Sequence, residues 1–194
     1  MLGELNRMKK KIEDIAEISY GTYDKPMLEG THQYLVASHF DDFYQLTQFS
    51  DSFIDLKAKD KKFQLIENDV ILAGKGSRNF AWAYDMNDGH CVPSALFYII
   101  RAKPTEILGN YLAYFLNSEK TQFALKSMAT GSGMPSIPKK ELIQLEIEVP
   151  PIAEQKKIIA LVDMMDEEIQ LDYQLITLKQ QRKKGIINKM INKQ

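Results

Sequence analysis

Apolar residues recur at different periods along this chain, and the changes of period divide it. Near the start, Leu2, Leu5, Met8, Ile12 and Ile15 follow three- and four-residue steps. That spacing predicts a short amphipathic helix within residues 2–12. Gly21 and Pro26 then punctuate a loop. Between His32 and Ile100 the apolar runs are short: Tyr34-Leu35-Val36, Phe53 to Lys57, Val70 to Ala73 after an Asn68-Asp69 turn, Phe80 to Tyr84 before Asn87-Asp88-Gly89, and Ala95 to Ile100. Each reads as a strand. Many short strands with polar turns favour a twisted, partly closed, mostly antiparallel sheet.

After Pro104 the period becomes helical. Ile107, Leu108, Tyr111, Leu112, Phe115 and Leu116 share one helix face. A second helix is expected over Ser118 to Met128, a short one near Lys139 to Ile143, and a strand near Leu145 to Val149. Pro150 and Pro151 come next. Pro151 can open a helix, because a first-turn residue has no use for the N–H that proline lacks. Glu154 then suits the positive helix end.

From Ile152 onward Ile158, Val162, Met165, Ile169 and Ile176 keep heptad spacing, broken near Asp172 and Tyr173. This predicts a helix over 152–184, about 50 Å long at 1.5 Å per residue, whose five apolar positions form a dimer seam. Gly185 is a poor helix former and marks the expected weak point. The fold class is therefore α+β, with a globular domain over residues 1–150 and a long coiled-coil helix over 151–194.

Composition adds limits. The 44% of hydrophobic residues in 194 suffices for a real core. A net charge of -1 means that nucleic-acid binding would need a local basic surface. The single Cys91 permits no internal disulfide and fits a reducing compartment. Charges at Glu4, Arg7 and Lys9 to Lys11, with no apolar run behind them, are not a secretory signal, and no run approaches the ~20 residues of a membrane span. A cytoplasmic protein without membrane contact is expected.

Charge is also uneven along the C-terminal helix. Asp163, Asp166, Glu167, Glu168 and Asp172 precede Lys179, Arg182, Lys183, Lys184, Lys189 and Lys193. Two such helices would oppose like charges when parallel and opposite charges when antiparallel. Acids at a helix start and bases at its end also suit a lone helix dipole, and both readings hold together.

Catalytic signatures are missing. Gly74-Lys75-Gly76-Ser77 lacks phosphate-loop spacing, and there is no dinucleotide fingerprint or nucleophile elbow. His32, His39 and His90 are not spaced as a helical metal pair; His32 and His39 could share a sheet face, but ordinary surface or core histidines are the expected reading. No Asn/Asp-Pro-Pro-aromatic tetrapeptide, as amino-methyltransferases use on a flipped base, occurs. A binding subunit with no catalytic residue, cofactor or metal is expected.

Two loops carry candidate binding residues. Lys75, Ser77, Arg78 and Asn79 follow a strand among glycines, and offer two cations, a hydroxyl and an amide of the kinds that bind phosphates and base edges. The same composition suits a plain polar turn. Thr130 and Ser132 lie in the small-residue loop Thr130 to Ser136, with Lys139 and Lys140 just beyond. That loop suits phosphate approach or a simple helix connection. The Lys57 to Lys62 cluster, interrupted by Asp60, reads as a solvated turn.

These segments resemble a known family. Val149-Pro150-Pro151-Ile152-Ala153-Glu154-Gln155-Lys156-Lys157-Ile158 is similar to the Pro-Pro-x-x-Glu-Gln-x-x-Ile tract of specificity subunits of type I restriction-modification systems. Asn68 to Asn79 resembles the strand and glycine turn of a target recognition domain. Tyr111 to Asn117 and Gly131 to Ile137 follow in the expected order, and Ile12 to Ile18 with Gly21 resembles the domain opening. The usual subunit has two recognition domains and two conserved helices, so this chain looks like a half-length form.

The resemblance implies a target recognition domain over 1–150 and a conserved-region dimerisation helix over 151–194. It implies a homodimer with antiparallel helices, reading a bipartite palindromic site in double-stranded DNA. It further implies an adenine methyltransferase (modification) subunit as partner, with the restriction subunit attached indirectly. A different class of function fits the same pattern: a coiled-coil scaffold whose globular domain binds protein, for which DNA binding would lack strong salt dependence. A solitary enzyme would show activity as the purified chain.

Overall fold

The computed structural model describes residues 8–191, which divide between Gln155 and Lys156 into two compact units. The first unit opens with a strand, β1 (Met8–Lys11), a single helical turn, α1 (Ile12–Ile15), and β2 (Ala16–Tyr20). Here the sequence expectation fails in part. Residues 8–11 are strand, paired antiparallel with β9 (Glu146–Val149) in the register Met8↔Val149 to Lys11↔Glu146. Residues 2–7 lie outside the described residues. The periodic Ile12 and Ile15 mark only α1, where both are fully buried. Cross-strand pairing and the ion pair of Lys10 with Glu106 favour the extended form over local helical periodicity.

Seven further strands and helices complete the core: β3 (His32–Leu35), β4 (Phe53–Ile54), β5 (Asp69–Ala73), β6 (Ala81–Ala83), β7 (Cys91–Pro93), β8 (Phe97–Ala102) and α2 (Gly109–Asn117), before α3 (Glu119–Met128) and α4 (Lys139–Leu142). One sheet runs β2-β8-β5-β6 and is antiparallel throughout; another runs β4-β3-β7, with β3 and β7 parallel. The strands are mostly antiparallel, as expected, and are divided among separate sheets. β7 was not legible, being three residues long and ending in Pro93.

All five residues of β5 are buried, as a strand covered on both faces must be. On one face Ile71 and Ile99 join Phe40, Phe80, Trp82, Cys91 and Phe97 in an aromatic-rich core. α2 packs against β5 and β6. Burial pushes the Cys91 thiol up to about 12. We therefore expect the native chain to resist iodoacetamide at pH 8 and to be alkylated once unfolded, as intact-mass measurement would read.

Side-chain amides clamp these elements. Asn68, at φ 71, donates to the carbonyls of Ala102 and Ile107 and accepts from Gly109 N at 2.6 Å. Asn117 accepts from Ala81 N and donates to Ala81 O, both at 2.8 Å, so the end of α2 satisfies the edge of β6. Gln155 is fully buried; it accepts from Leu108 N at 2.8 Å and donates to Pro150 O and Glu106 O. The double-proline tract therefore ends on a residue that ties the start of α2 to the end of β9. Gln155→Ala strands one donor and two acceptors, with an expected cost of about 2–3 kcal/mol and a fall of roughly 5–10 °C in the melting midpoint by calorimetry.

The second unit is helical. The helix α5 spans Ile152–Ile191, or about 60 Å at 1.5 Å per residue. It runs past the expected stop at 184 and includes Gly185. One exposed glycine costs only about 1 kcal/mol against alanine, and the Gln, Arg and Lys residues that precede it are good helix formers. No helix among the described residues is long and apolar enough to cross a membrane.

Candidate nucleic-acid interface

The turn between β5 and β6 and the loop between α3 and α4 are far apart in sequence, and the backbone joins them. Gly76 N donates to Pro135 O at 2.8 Å, and Ile137 N donates to Gly74 O at 2.9 Å. Lys75 and Ser136 form an antiparallel bridge, and Thr130 and Ser136 exchange N–H···O bonds across the base of the second loop. Two candidate segments thus make one surface. Gly76 has a φ of 103°, a conformation open to glycine and strained for other residues. Gly74 meets a different demand: a Cβ there would overlap the Tyr98 ring.

The candidate side chains divide by environment. Ser77, Thr130, Ser132 and Lys140 are exposed, while Lys75 and Lys139 are half-buried. Lys140 lies 3.9 Å from Glu141, and among the described residues Lys75 and Lys139 have no acidic partner. Asn79 is 7% exposed and donates to Ala73 O at 2.7 Å, so its amide closes the turn that it ends.

Arg78 is also held by the protein. Its guanidinium donates to the carbonyls of Phe40 (2.9 Å) and Asp41, stacks over Phe80 and Tyr44 at 5.0 and 5.6 Å, and approaches Asp42 at 4.0 Å. It braces the segment around Tyr44, a residue at φ 63. Nothing in the local sequence around Arg78 announces these partners, which lie nearly forty positions earlier.

Two tyrosines flank the joined loops without having been singled out. Tyr98 donates to Ile137 O at 2.5 Å, and its ring meets that of Tyr20 at 4.9 Å. Burial, and then the neighbouring Tyr20 hydroxyl, push the Tyr98 phenol well above its usual range. Their positions in β2 and β8, paired Tyr20↔Tyr98, place them together, and that register was the missing signal.

His32 and His39 do not share a sheet face. His39 lies in a 3-10 turn, Ala37–His39, not on the strand that bears His32, and stacks on Phe49 at 3.8 Å; His32 neighbours His90 at 5.5 Å. Burial lowers the His39 pKa. Among the described residues no group of three His, Cys, Asp or Glu could hold a metal ion. Lys57 to Lys62 falls largely in another 3-10 segment, Ala58–Phe63.

On α5, Met165, Ile169 and Ile176 are exposed at 54%, 39% and 49%. Ile158 and Val162 continue the same heptad positions toward the helix start. The acidic residues and the basic residues as far as Lys189 lie on this one continuous helix, and Lys193 lies outside the described residues.

A mixed domain that presents small-residue loops, together with a long heptad helix, has the character of a recognition module. Comparison with known proteins makes the class specific. The chain belongs to the type I restriction modification DNA specificity domain family, whose model matches residues 5–181. This is a non-catalytic DNA-specificity class.

The chain is 28% identical over 166 residues to the type I restriction enzyme MjaVIII specificity subunit of Methanocaldococcus jannaschii, covering 86% of this chain and 36% of that protein. Among solved structures, the S subunit of a type I restriction-modification system from M. genitalium superposes with a TM-score of 0.66 at 17% identity, covering 93% of this chain and 44% of that one. The HsdS subunit from Thermoanaerobacter tengcongensis gives 0.55 at 15% identity, covering 85% and 38%. The two structures share the fold, and the chain spans less than half the length of each of these relatives.

Proposed function

We propose that this chain reads double-stranded DNA through the surface made by residues 74–79 and 130–136, and that two copies pair through α5. The carrying observation is the main-chain ladder that fuses the two loops. Separate polar turns would be ordinary, but fused loops whose Lys75 and Lys139 have no acidic partner among the described residues make a built surface of the right charge. Lys75, Ser77, Thr130, Ser132, Lys139 and Lys140 face the DNA in this reading, whereas Arg78 and Asn79 hold the surface in shape.

Pairing of α5 is antiparallel, so that each acidic half meets a basic half. The seam is Ile158, Val162, Met165, Ile169 and Ile176. A two-fold pair then reads a bipartite palindromic site, and residues 1–150 act as the target recognition domain while 151–194 set the spacing. The same helices dock adenine methyltransferase subunits, which bring the cofactor and flip the base, and through them the restriction subunit. The complex works in the cytoplasm.

A gel shift with the cognate methyltransferase subunit tests this. Retardation of one sequence class over others is expected, and sequence-independent binding or none would overturn the reading.

A further inference from the structure

We propose that Tyr20 is a positioning residue that aims the Lys75 ammonium at a DNA phosphate, through a closed circuit of contacts from Gly74 to Tyr98 to Tyr20 and back to Lys75. The inference rests on the DNA-binding reading above and adds to it a residue that none of the polar loops contains.

The circuit begins at Gly74, whose missing side chain leaves room for the Tyr98 ring against the turn. Tyr98 is fixed at its other end by the bond from its hydroxyl to Ile137 O. Its ring holds that of Tyr20 at 4.9 Å. Lys75, the residue after Gly74, carries its Nζ over the Tyr20 ring at 5.8 Å, within the ~6 Å reach of a cation–π contact. Its backbone is fixed by the bridge to Ser136.

Tyr20 is 45% exposed, at the end of the edge strand β2. The ring therefore restrains a lysine whose charge has no carboxylate partner among the described residues. A flexible, hydrated ammonium loses side-chain entropy when it binds a phosphate, and a ring beneath it removes part of that loss beforehand. Arg78 is different, since its donors are already committed to carbonyls.

The test is the salt dependence of binding by the full chain to a fluorescein-labelled duplex of mixed sequence, between about 50 and 200 mM salt. Each phosphate contact adds about one to the slope of log affinity against log salt. Lys75→Met is expected to lower the slope by about one and weaken low-salt binding roughly three- to tenfold. Tyr20→Leu should reproduce a large part of that loss. Tyr20→Phe, which keeps the ring, should behave as wild type, and Lys75→Met with Tyr20→Leu should fall no further than Lys75→Met alone.

A wild-type slope in Lys75→Met overturns the proposal, as do additive losses in the double variant or an unchanged slope in folded Tyr20→Leu. Should wild type itself show no salt-dependent binding, the DNA-binding reading falls and this inference with it. The two failures are therefore distinct.

Discussion

Replacing Ile169 by Asp is expected to turn a dimer of this chain into monomers. Ile169 lies between Met165 and Ile176 on the heptad stripe of α5. Two-fold pairing would place the new carboxylate on both sides of one seam, and Asp166 and Asp172 already lie three residues away on either side. A buried charge without a partner costs several kcal/mol, so association should weaken by about 3–5 kcal/mol, more than a hundredfold in Kd. Sedimentation velocity should show the mass halved. Ile169→Leu keeps an apolar side chain of equal size and should remain dimeric. A dimer unchanged by Asp would remove this stripe from the interface.

The second large effect lies in the domain core. Asp69 is fully buried and accepts from Arg101 Nε at 3.0 Å, Arg101 Nη2 at 2.9 Å and Ile66 N at 3.0 Å. The Asp69 hydrogen bond is the main reason that the Arg101 pKa lies above its ordinary value. Asp69→Ala removes the partner of a guanidinium and of a backbone donor together. The Arg101 side chain is 38% exposed, so water reclaims part of the charge. The expected loss is about 2–4 kcal/mol, or roughly 5–15 °C in melting midpoint. A double-mutant cycle with Arg101→Met should recover part of this loss, because the stranded cation is then gone. Strictly additive losses would show that the pair does not couple.

What could be read in the sequence follows from physical range. β5, β8, α2 and α3 are long enough, and periodic enough, for local pattern to decide them. β1 was misread because Met8 and Ile12 keep helical spacing while the strand partner lies near Val149. The candidate interface was legible as two loops and not as one surface, since the bonds from Gly76 to Pro135 and from Ile137 to Gly74 span about sixty positions and leave no local trace. For the same reason the carbonyls of Phe40 and Asp41 that hold Arg78 leave no trace in the sequence beside it.

Three residues in the segments that resemble the family also take on a physical meaning. Gln155, Asn68 and Asn117 use their amides to close backbone positions. They keep the scaffold in register beneath the exposed loops.

That division of labour, buried amide clamps beneath exposed loops that read DNA, is the central claim, and methylated-adenine mapping of host DNA tests it most directly. Cells should carry the wild-type chain or one with residues 77 and 130–134 replaced, with Gly76, Asn79, Asn117 and Gln155 untouched. The account predicts that a bipartite palindromic motif is methylated with the wild-type chain and that the motif changes or disappears with altered loops while the protein stays folded. Persistence of the same methylated motif would contradict it.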